Sequence, residues 1–407
     1  MKLKRFTVLI VVFSLLLSGC GRPDDPRQDA GFGQDIFSDD MLKNKDTARG
    51  DFRRAVWVSY LDIVPMMSPE KVTFENNIDS MLNNLATISV TDIFFQVRAF
   101  GDSIYPSAVY PSAAETLYNM SDSFDYLDIV LQKCRARGVR LHAWINPYRL
   151  HGSKGAVYQA FVDSLDAQDY YAVVPTDTGR TLNPASGVAQ KLVADGVKEI
   201  LDNYDIDGIH LDDYFYPTTD EAFDTHYYAA YLSGGGTMEL AEWRRNNVTT
   251  VIKQLFDAVK VKSAGIEFGI APDASISRNM QQHYLDVELM CRNEGYLDYI
   301  CPQVYFGYQN TNMPFLSTVT EWSEYTTECD IMVGLSFYKV GTADTNAGSG
   351  SGEWLNNSDI ISRQYLDTLE ITDCLGVAFY RYDSIFNPDS DVMSNAVSEY
   401  ENLKNVI

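Results

Sequence analysis

The sequence predicts a (β/α)8 TIM barrel, and three observations carry the prediction. Eight short apolar runs, at 54–60, 92–97, 140–146, 208–214, 267–273, 299–305, 331–338 and 376–382, alternate with longer amphipathic segments. Eight strands, each followed by a helix, are what a closed parallel barrel requires, and right-handed crossovers put every helix outside. Nearly every run also ends in polar or aromatic residues, as strand ends around one mouth of a barrel would. No glycine-rich phosphate loop follows the first run, which leaves the doubly wound open sheet without support.

Taken in order, residues 1–20 read as a lipoprotein signal peptide. Met1-Lys2-Leu3-Lys4-Arg5 is basic, and the apolar stretch from Phe6 to Leu17 is too short to span a bilayer. Leu17-Ser18-Gly19-Cys20 resembles the bacterial lipobox, which implies cleavage before Cys20 and a lipid on its sulfur. No later run is long and apolar enough to cross a membrane. The mature chain is therefore expected outside the cytoplasm, anchored to the bacterial cell membrane by lipid alone. Residues 21–50, rich in Asp, Gly, Pro and Arg, read as a flexible tether, and 51–405 as the barrel.

Helical patterns fall near 74–88, 123–138, 186–203, 239–263, 280–294, 315–328, 359–373 and 391–405. The long connections 98–122, 150–182 and 214–238 are expected to wall a cleft. A net charge of −24 argues against nucleic acid as a partner and suits a neutral substrate. The 26 tyrosines could offer stacking platforms for sugar rings. Beyond Cys20 the cysteines are Cys134, Cys291, Cys301, Cys329 and Cys374, odd in number and without a CxxC spacing. They read as small core residues, with a Cys291–Cys301 disulfide as the alternative.

The fourth run, Asp207-Gly208-Ile209-His210-Leu211-Asp212-Asp213-Tyr214-Phe215-Tyr216-Pro217, is the focus. Strand alternation puts His210 and Asp212 on one face and Asp213 on the other. Acids ending an apolar strand are costly unless they face water or a partner, and barrel enzymes carry catalytic groups at C-terminal strand ends. His210, as a cation, would keep the Asp212 carboxylate ionised. Asp213 would orient a neighbour or bind a sugar hydroxyl. Alternatively, either acid caps a turn.

Phe95-Gln96-Val97-Arg98-Ala99-Phe100-Gly101-Asp102-Ser103, His142-Ala143-Trp144-Ile145-Asn146-Pro147-Tyr148-Arg149, Asp207–Pro217, Trp243-Arg244-Arg245-Asn246-Asn247 and Arg278-Asn279 resemble the glycosyl-hydrolase-like ten family of bacterial proteins. The resemblance implies a TIM-barrel glycoside hydrolase, related to lipoproteins that act on denuded peptidoglycan glycan strands. The fourth run is also similar to the Asp-Gly-Phe-Arg-x-Asp pattern of α-amylase-type barrels. That similarity implies Asp212 as nucleophile and His210 at the Arg position.

Glycoside hydrolysis needs a second carboxyl group to protonate the leaving oxygen. Asp273, at the end of the fifth run, is the candidate by strand position; Glu353 and Asp102 are the alternatives. The family usually reads Ser-Pro-Phe-Gly where this chain has Ala271-Pro272-Asp273-Ala274, so Asp273 has no family support. Arg98, His142, Asn146, Tyr148, His210 and Tyr305 are expected to bind sugar, with Trp57 and Trp144 stacking on its faces. Trp243-Arg244-Arg245 is expected to brace the Asp212 loop through ion pairs with loop acids.

The expected activity is cleavage of O-glycosidic bonds in a bacterial-envelope or environmental polysaccharide, with no cofactor and no protein partner indicated. A non-catalytic carbohydrate-binding protein is the first alternative. A metal-dependent hydrolase using Asp207, His210, Asp212 and Asp213 as ligands is the second.

Overall fold

Apolar β-branched and aromatic residues dominate each of the eight runs, and each run forms a parallel strand buried on both faces. The computed structural model describes residues 52–407 except 117–118, 152–153, 177–178, 213–214 and 372. The signal segment, Cys20, the tether and Asp213 lie outside the described residues. The strands are β1 (Arg53–Val58), β2 (Asp92–Arg98), β3 (Arg140–Ile145), β4 (Gly208–Asp212), β5 (Glu267–Ala271), β6 (Tyr299–Ile300), β7 (Asp330–Ser336) and β8 (Cys374–Tyr380). They close into a barrel in the order β1-β8-β7-β6-β5-β4-β3-β2. The principal helices are α1 (Lys71–Ala86), α2 (Tyr126–Arg135), α3 (Gly187–Asn203), α4 (Leu240–Lys262), α5 (Val287–Arg292), α6 (Phe315–Tyr325), α7 (Ile360–Leu369) and α8 (Met393–Val406), one after each strand. The (β/α)8 expectation holds.

Two elements differ from expectation. The sixth strand is shorter because Pro302 has no N–H to donate to a ladder. The chain stays extended past it: Gln303 N donates to Pro272 O at 3.0 Å, and Gly334 N to Pro302 O at 3.0 Å. The helix expected near 280–294 is two pieces, Ile276–Gln281 and α5. Tyr284 between them has a φ of 51°, and the Asp286 side chain starts α5 by accepting Leu289 N at 3.0 Å. The connection after β3 carries a small antiparallel sheet of Arg149–Leu150, Val173–Thr176 and Gly179–Leu182. Among the described residues no helix is long and apolar enough to cross a membrane.

Alternate strand residues fill the barrel in layers. Lowest, at the N-terminal end, Arg53 grips Glu267 with two 2.7 Å bonds, and Arg140 reaches the same carboxylate at 2.9 Å. The carboxylate of Asp92 lies 3.9 Å from Arg53 and 3.7 Å from Arg140. Two cations thus face two anions, which lessens the cost of burying them. Above them lie the rings of Phe94, His142 and Tyr299, the last two accommodated by glycines opposite. A methyl group on Gly208 would sit 2.2 Å from His142 Nδ1, and one on Gly269 2.2 Å from the Tyr299 ring. Above these come Trp57, Trp144 and His210, all buried.

A single hydrogen-bond chain links these layers. Trp57 Nε1 lies 3.1 Å from His210 Nε2, His210 Nδ1 2.9 Å from Tyr299 Oη, Tyr299 Oη 3.1 Å from His142 Nδ1, and His142 Nε2 3.1 Å from Asp92 Oδ1. An indole N–H can only donate and an ionised carboxylate can only accept. Trp57 therefore donates to His210, whose Nδ1–H donates to Tyr299, and at the far end His142 Nε2 donates to Asp92.

Cys291 packs among the outer core residues, whereas Cys301 faces the barrel interior with Trp57 and Met332. The expected Cys291–Cys301 alternative is therefore ruled out, since the two thiols lie on opposite sides of the barrel wall.

Outside the barrel, Glu399 of α8 is fully buried against α7, where its Oε1 accepts Ser362 N at 2.9 Å and Oε2 has no partner among the described residues. Burial pushes its pKa up from 4.5 to about 6. A carboxyl group whose folded pKa exceeds its unfolded value stabilises the fold fully below the unfolded value, and that contribution is lost as pH rises through the folded one. Glu399→Gln is expected to remove a loss of about 2 kcal/mol between pH 4.5 and 7, measured by denaturant unfolding at both pH values.

Candidate active site

The mouth of the barrel at the C-terminal strand ends is bound together by side-chain amides. Asp212 ends β4 and is half-buried. Gln303 Nε2, beyond β6, donates to Asp212 Oδ1 at 2.8 Å and to Ala271 O of β5 at 3.2 Å. On the other side Asn146, just past β3, points its Nδ2 at Asp212 O from 3.4 Å. Its Oδ1 accepts from Gln96 Nε2 of β2, and Gln96 Oε1 accepts the backbone N of Tyr60 at 2.6 Å. One strand end is thereby tied to the next from β1 to β6, and one carboxylate is held in a fixed orientation.

Three tyrosines stand beside it. The Tyr305 and Tyr380 ring centroids are 5.7 Å apart, and Tyr338, at the rim, is 5.8 Å from each. Burial pushes the Tyr305 phenol well up, and the neighbouring Tyr380 hydroxyl and the Asp212 carboxylate add to the effect. The same causes, burial and then Asp212, raise Tyr380. Both phenols keep their protons at any working pH and can donate hydrogen bonds next to a carboxylate.

Several expected sugar contacts lie elsewhere. Trp57 is 1% exposed and His142 and His210 are fully buried, so none of them can meet a sugar. His210 does lie on the Asp212 face of β4, but one layer deeper. Burial, then the neighbouring His142, lowers its pKa far below the usual value, so it is neutral and is not the cation expected beside Asp212. Arg98 would face inward by simple alternation. A bulge between Gln96 and Arg98 pairs it with Ile145 instead and turns it outward. There it packs over the Tyr110 ring at 4.3 Å, in the space opened by Gly196 of α3. Tyr148 is 3% exposed and belongs to the outer core, and Trp144 is likewise buried. Asn146 lies at the mouth but is 1% exposed, so it too is closed to a sugar; of the expected contacts Tyr305 remains open there.

The carboxylates separate in the same way. Asp273, past the end of β5, pairs by a strand bridge with Gln303. Its Oδ1 accepts Ser275 N at 2.6 Å and Arg278 Nη2 at 2.7 Å, while Oδ2 has no hydrogen bond among the described residues. Glu353 is buried and accepts Tyr308 N at 3.0 Å and Gln309 N at 2.8 Å, so both its oxygens fasten the loop before α6. Asp102, also buried, accepts from Thr116 Oγ1 and from Phe100 N at 3.2 Å within its own loop. Asp207 accepts Leu141 N at 2.8 Å at the opposite end of β4 from Asp212, which separates the ligands of the metal alternative. Among the described residues no group of three His, Cys, Asp or Glu is placed to hold a metal ion.

Gln96, Gln303 and Tyr380, among the polar and aromatic strand ends expected around the cleft, are part of the mouth, although the sequence reading assigned none of them a role there. Each lies on the inward alternation of its strand, and that was the available signal. Behind the site, Arg244 of α4 is fully buried and grips Asp224 through Nε at 2.9 Å and Nη2 at 2.6 Å. Nη2 also donates to Asp220 O at 2.7 Å and Nη1 to Tyr284 Oη at 3.0 Å. It thus secures the connection that leaves β4, as expected. Arg245 bonds the Met280 carbonyl instead of an acid.

Comparison with known proteins points the same way. The family model described as Glycosyl hydrolase-like 10 matches residues 53–349. Glycosyl hydrolase DigH of Escherichia coli K12 is 26% identical over 379 residues, covering 83% of this chain and 84% of that protein. Glycosyl hydrolase YngK of Bacillus subtilis is 25% identical over 277 residues, 62% of this chain and 54% of that protein. Among solved structures, the PgaB (BpsB) glycoside hydrolase domain of Bordetella bronchiseptica superposes with a TM-score of 0.56 at 12% identity, over 85% of this chain and 98% of that one. An α-L-fucosidase of Paenibacillus thiaminolyticus gives 0.54 at 14% identity, over 87% and 49%. At these identities the structures bear on the fold alone.

Removing Arg244 leaves Asp224 buried without its cation. Arg244→Ala is expected to cost about 3–5 kcal/mol of folding stability, read as a lowered denaturant midpoint.

Proposed function

Because the chain belongs to the glycosyl hydrolase-like 10 family, we propose that it cleaves O-glycosidic bonds of a bacterial-envelope polysaccharide, with peptide-free peptidoglycan glycan strands as the substrate to test first. In this proposal Cys20 carries a lipid and the barrel works outside the cytoplasm, anchored to the membrane. The observation that carries the reading is the half-buried Asp212 carboxylate, fixed by Gln303 at the C-terminal mouth. Gln303 occupies Oδ1 and sets the plane of the carboxylate. Such preorganisation is what a nucleophile or general base needs to meet an anomeric centre or a water.

Tyr305 and Tyr380, as neutral phenols, would donate to sugar or ring oxygens as charge develops. Asp273 supplies the second carboxyl group in this scheme, with Oδ2 as its reacting oxygen. Asp213, next to Asp212 in the chain, would bind a sugar hydroxyl. Glu353 and Asp102 drop out as acids, since two backbone donors of the loop before α6 hold Glu353 and a hydroxyl and a backbone donor of its own loop hold Asp102.

One observation favours the alternative of a carbohydrate-binding protein without turnover. Two of the three acid candidates are committed elsewhere, and the third, Asp273, is paired with Arg278. Turnover by purified residues 21–407 on peptide-free glycan strands separates the two readings. Asp212→Asn and Asp273→Asn are each expected to lower kcat by about 10²–10⁴-fold while strand binding persists. Strand binding by the wild type with no cleavage would establish the binding protein instead.

A further inference from the structure

Cys291 and Cys329 lie in the same corner of the outer shell. Cys291 closes the apolar face of α5, and Cys329 follows α6 in the turn that enters β7. Two backbone bonds draw the segments together: Thr327 N donates to Cys291 O at 3.1 Å and Glu328 N to the same oxygen at 2.9 Å. The residue after Glu328 is Cys329, so its backbone is held against that of Cys291. The side chains also influence each other. Contact with the Cys329 thiol, followed by burial, pushes the Cys291 pKa well up. Both thiols are unbonded in this structure; Cys291 is buried and Cys329 partly exposed.

Cys134, Cys301 and Cys374 do not share this arrangement. Cys301 faces the barrel interior, and Cys374 bonds the carbonyls of Ile331 and Gly376. Cys134 is buried on α2.

We propose that Cys291 and Cys329 are a disulfide-forming pair that closes the 291–329 segment when the protein meets an oxidant. The partly exposed Cys329 is the entry point. Its thiolate attacks a small-molecule disulfide such as oxidised glutathione, giving a mixed disulfide and releasing one reduced glutathione. The Cys291 thiol loses its proton and attacks the Cys329 sulfur, which expels the second glutathione. Two protein thiols are oxidised and one glutathione disulfide is reduced, so the exchange balances.

The closed segment contains Tyr299, which is the middle of the buried hydrogen-bond chain, Gln303, which orients Asp212, and Tyr305. Cross-linking its ends removes conformations from the unfolded chain, so it protects the wall that supplies one side of the mouth. The pair is independent of what the mouth binds. No activity assay enters its test.

The test is peptide mass mapping of the full chain after equilibration with oxidised and reduced glutathione, with alkylation before reduction. The expected result is a linked 291/329 peptide pair, with Cys134, Cys301 and Cys374 alkylated. The melting temperature of the oxidised wild type should exceed that of the reduced form by several degrees. Cys329→Ser, at a partly exposed position that leaves the core packing intact, should show no such difference. Full alkylation of both cysteines after equilibration would overturn the proposal. So would linkage of Cys291 to another cysteine, or a glutathione mixed disulfide at Cys329 that never resolves.

Discussion

The interior of this barrel depends on the one-way donor at Trp57. An indole nitrogen cannot accept, so its bond to His210 Nε2 dictates the tautomer of His210 and makes its Nδ1–H the donor to the Tyr299 hydroxyl. The chain ends on Asp92, whose charge is balanced by Arg53 and Arg140. A neutral His210 is required by this arrangement and is also what full burial favours. Phe94 stacks on His210 with centroids 3.9 Å apart, filling the space beside the bonds. A polar column in a barrel core is costly unless every member is satisfied. Here every ring nitrogen of the two histidines has a partner, and the column carries the floor of the mouth.

The fold was legible because eight apolar runs and eight amphipathic segments alternate without interruption. Period-2 alternation also told which residues face inward, and Asp212, Asn146 and Tyr305 were correctly brought to the mouth by it. Alternation carries no depth, however. Trp57, His142 and His210 face inward as read, yet they lie one or two layers below the strand ends, where a sugar cannot reach. Depth is set by the register between strands, as in the pairing of His142 with Gly208 and of His210 with Gly269. Arg98 escaped for a different reason: one bulged residue reverses the direction of everything after it. Asp213 and Cys20, both central to the sequence reading, fall outside the described residues.

The carboxylates show how little an acid at a strand end or in a loop says by itself. Glu353, Asp102 and Asp207 are acceptors for backbone or hydroxyl donors, and they fasten segments of the chain. Asp212 is held across the mouth by a side chain from another strand end, Gln303, itself anchored on the Ala271 carbonyl. The amides of Gln96, Asn146 and Gln303 are neutral, so they orient the acid without quenching its charge. Tyr305 and Tyr380 complete the wall with protonated phenols.

The most direct measurement is a crystal structure of Asp212→Asn bound to an oligosaccharide of N-acetylated sugars. The account predicts a sugar ring seated at the C-terminal mouth against Tyr305 and Tyr380. Its anomeric carbon should lie within about 3–3.5 Å of the side chain at position 212. A ring held elsewhere on the surface, or seated in the mouth with its anomeric centre turned away from position 212, would contradict the assignment of Asp212 as the reacting carboxylate.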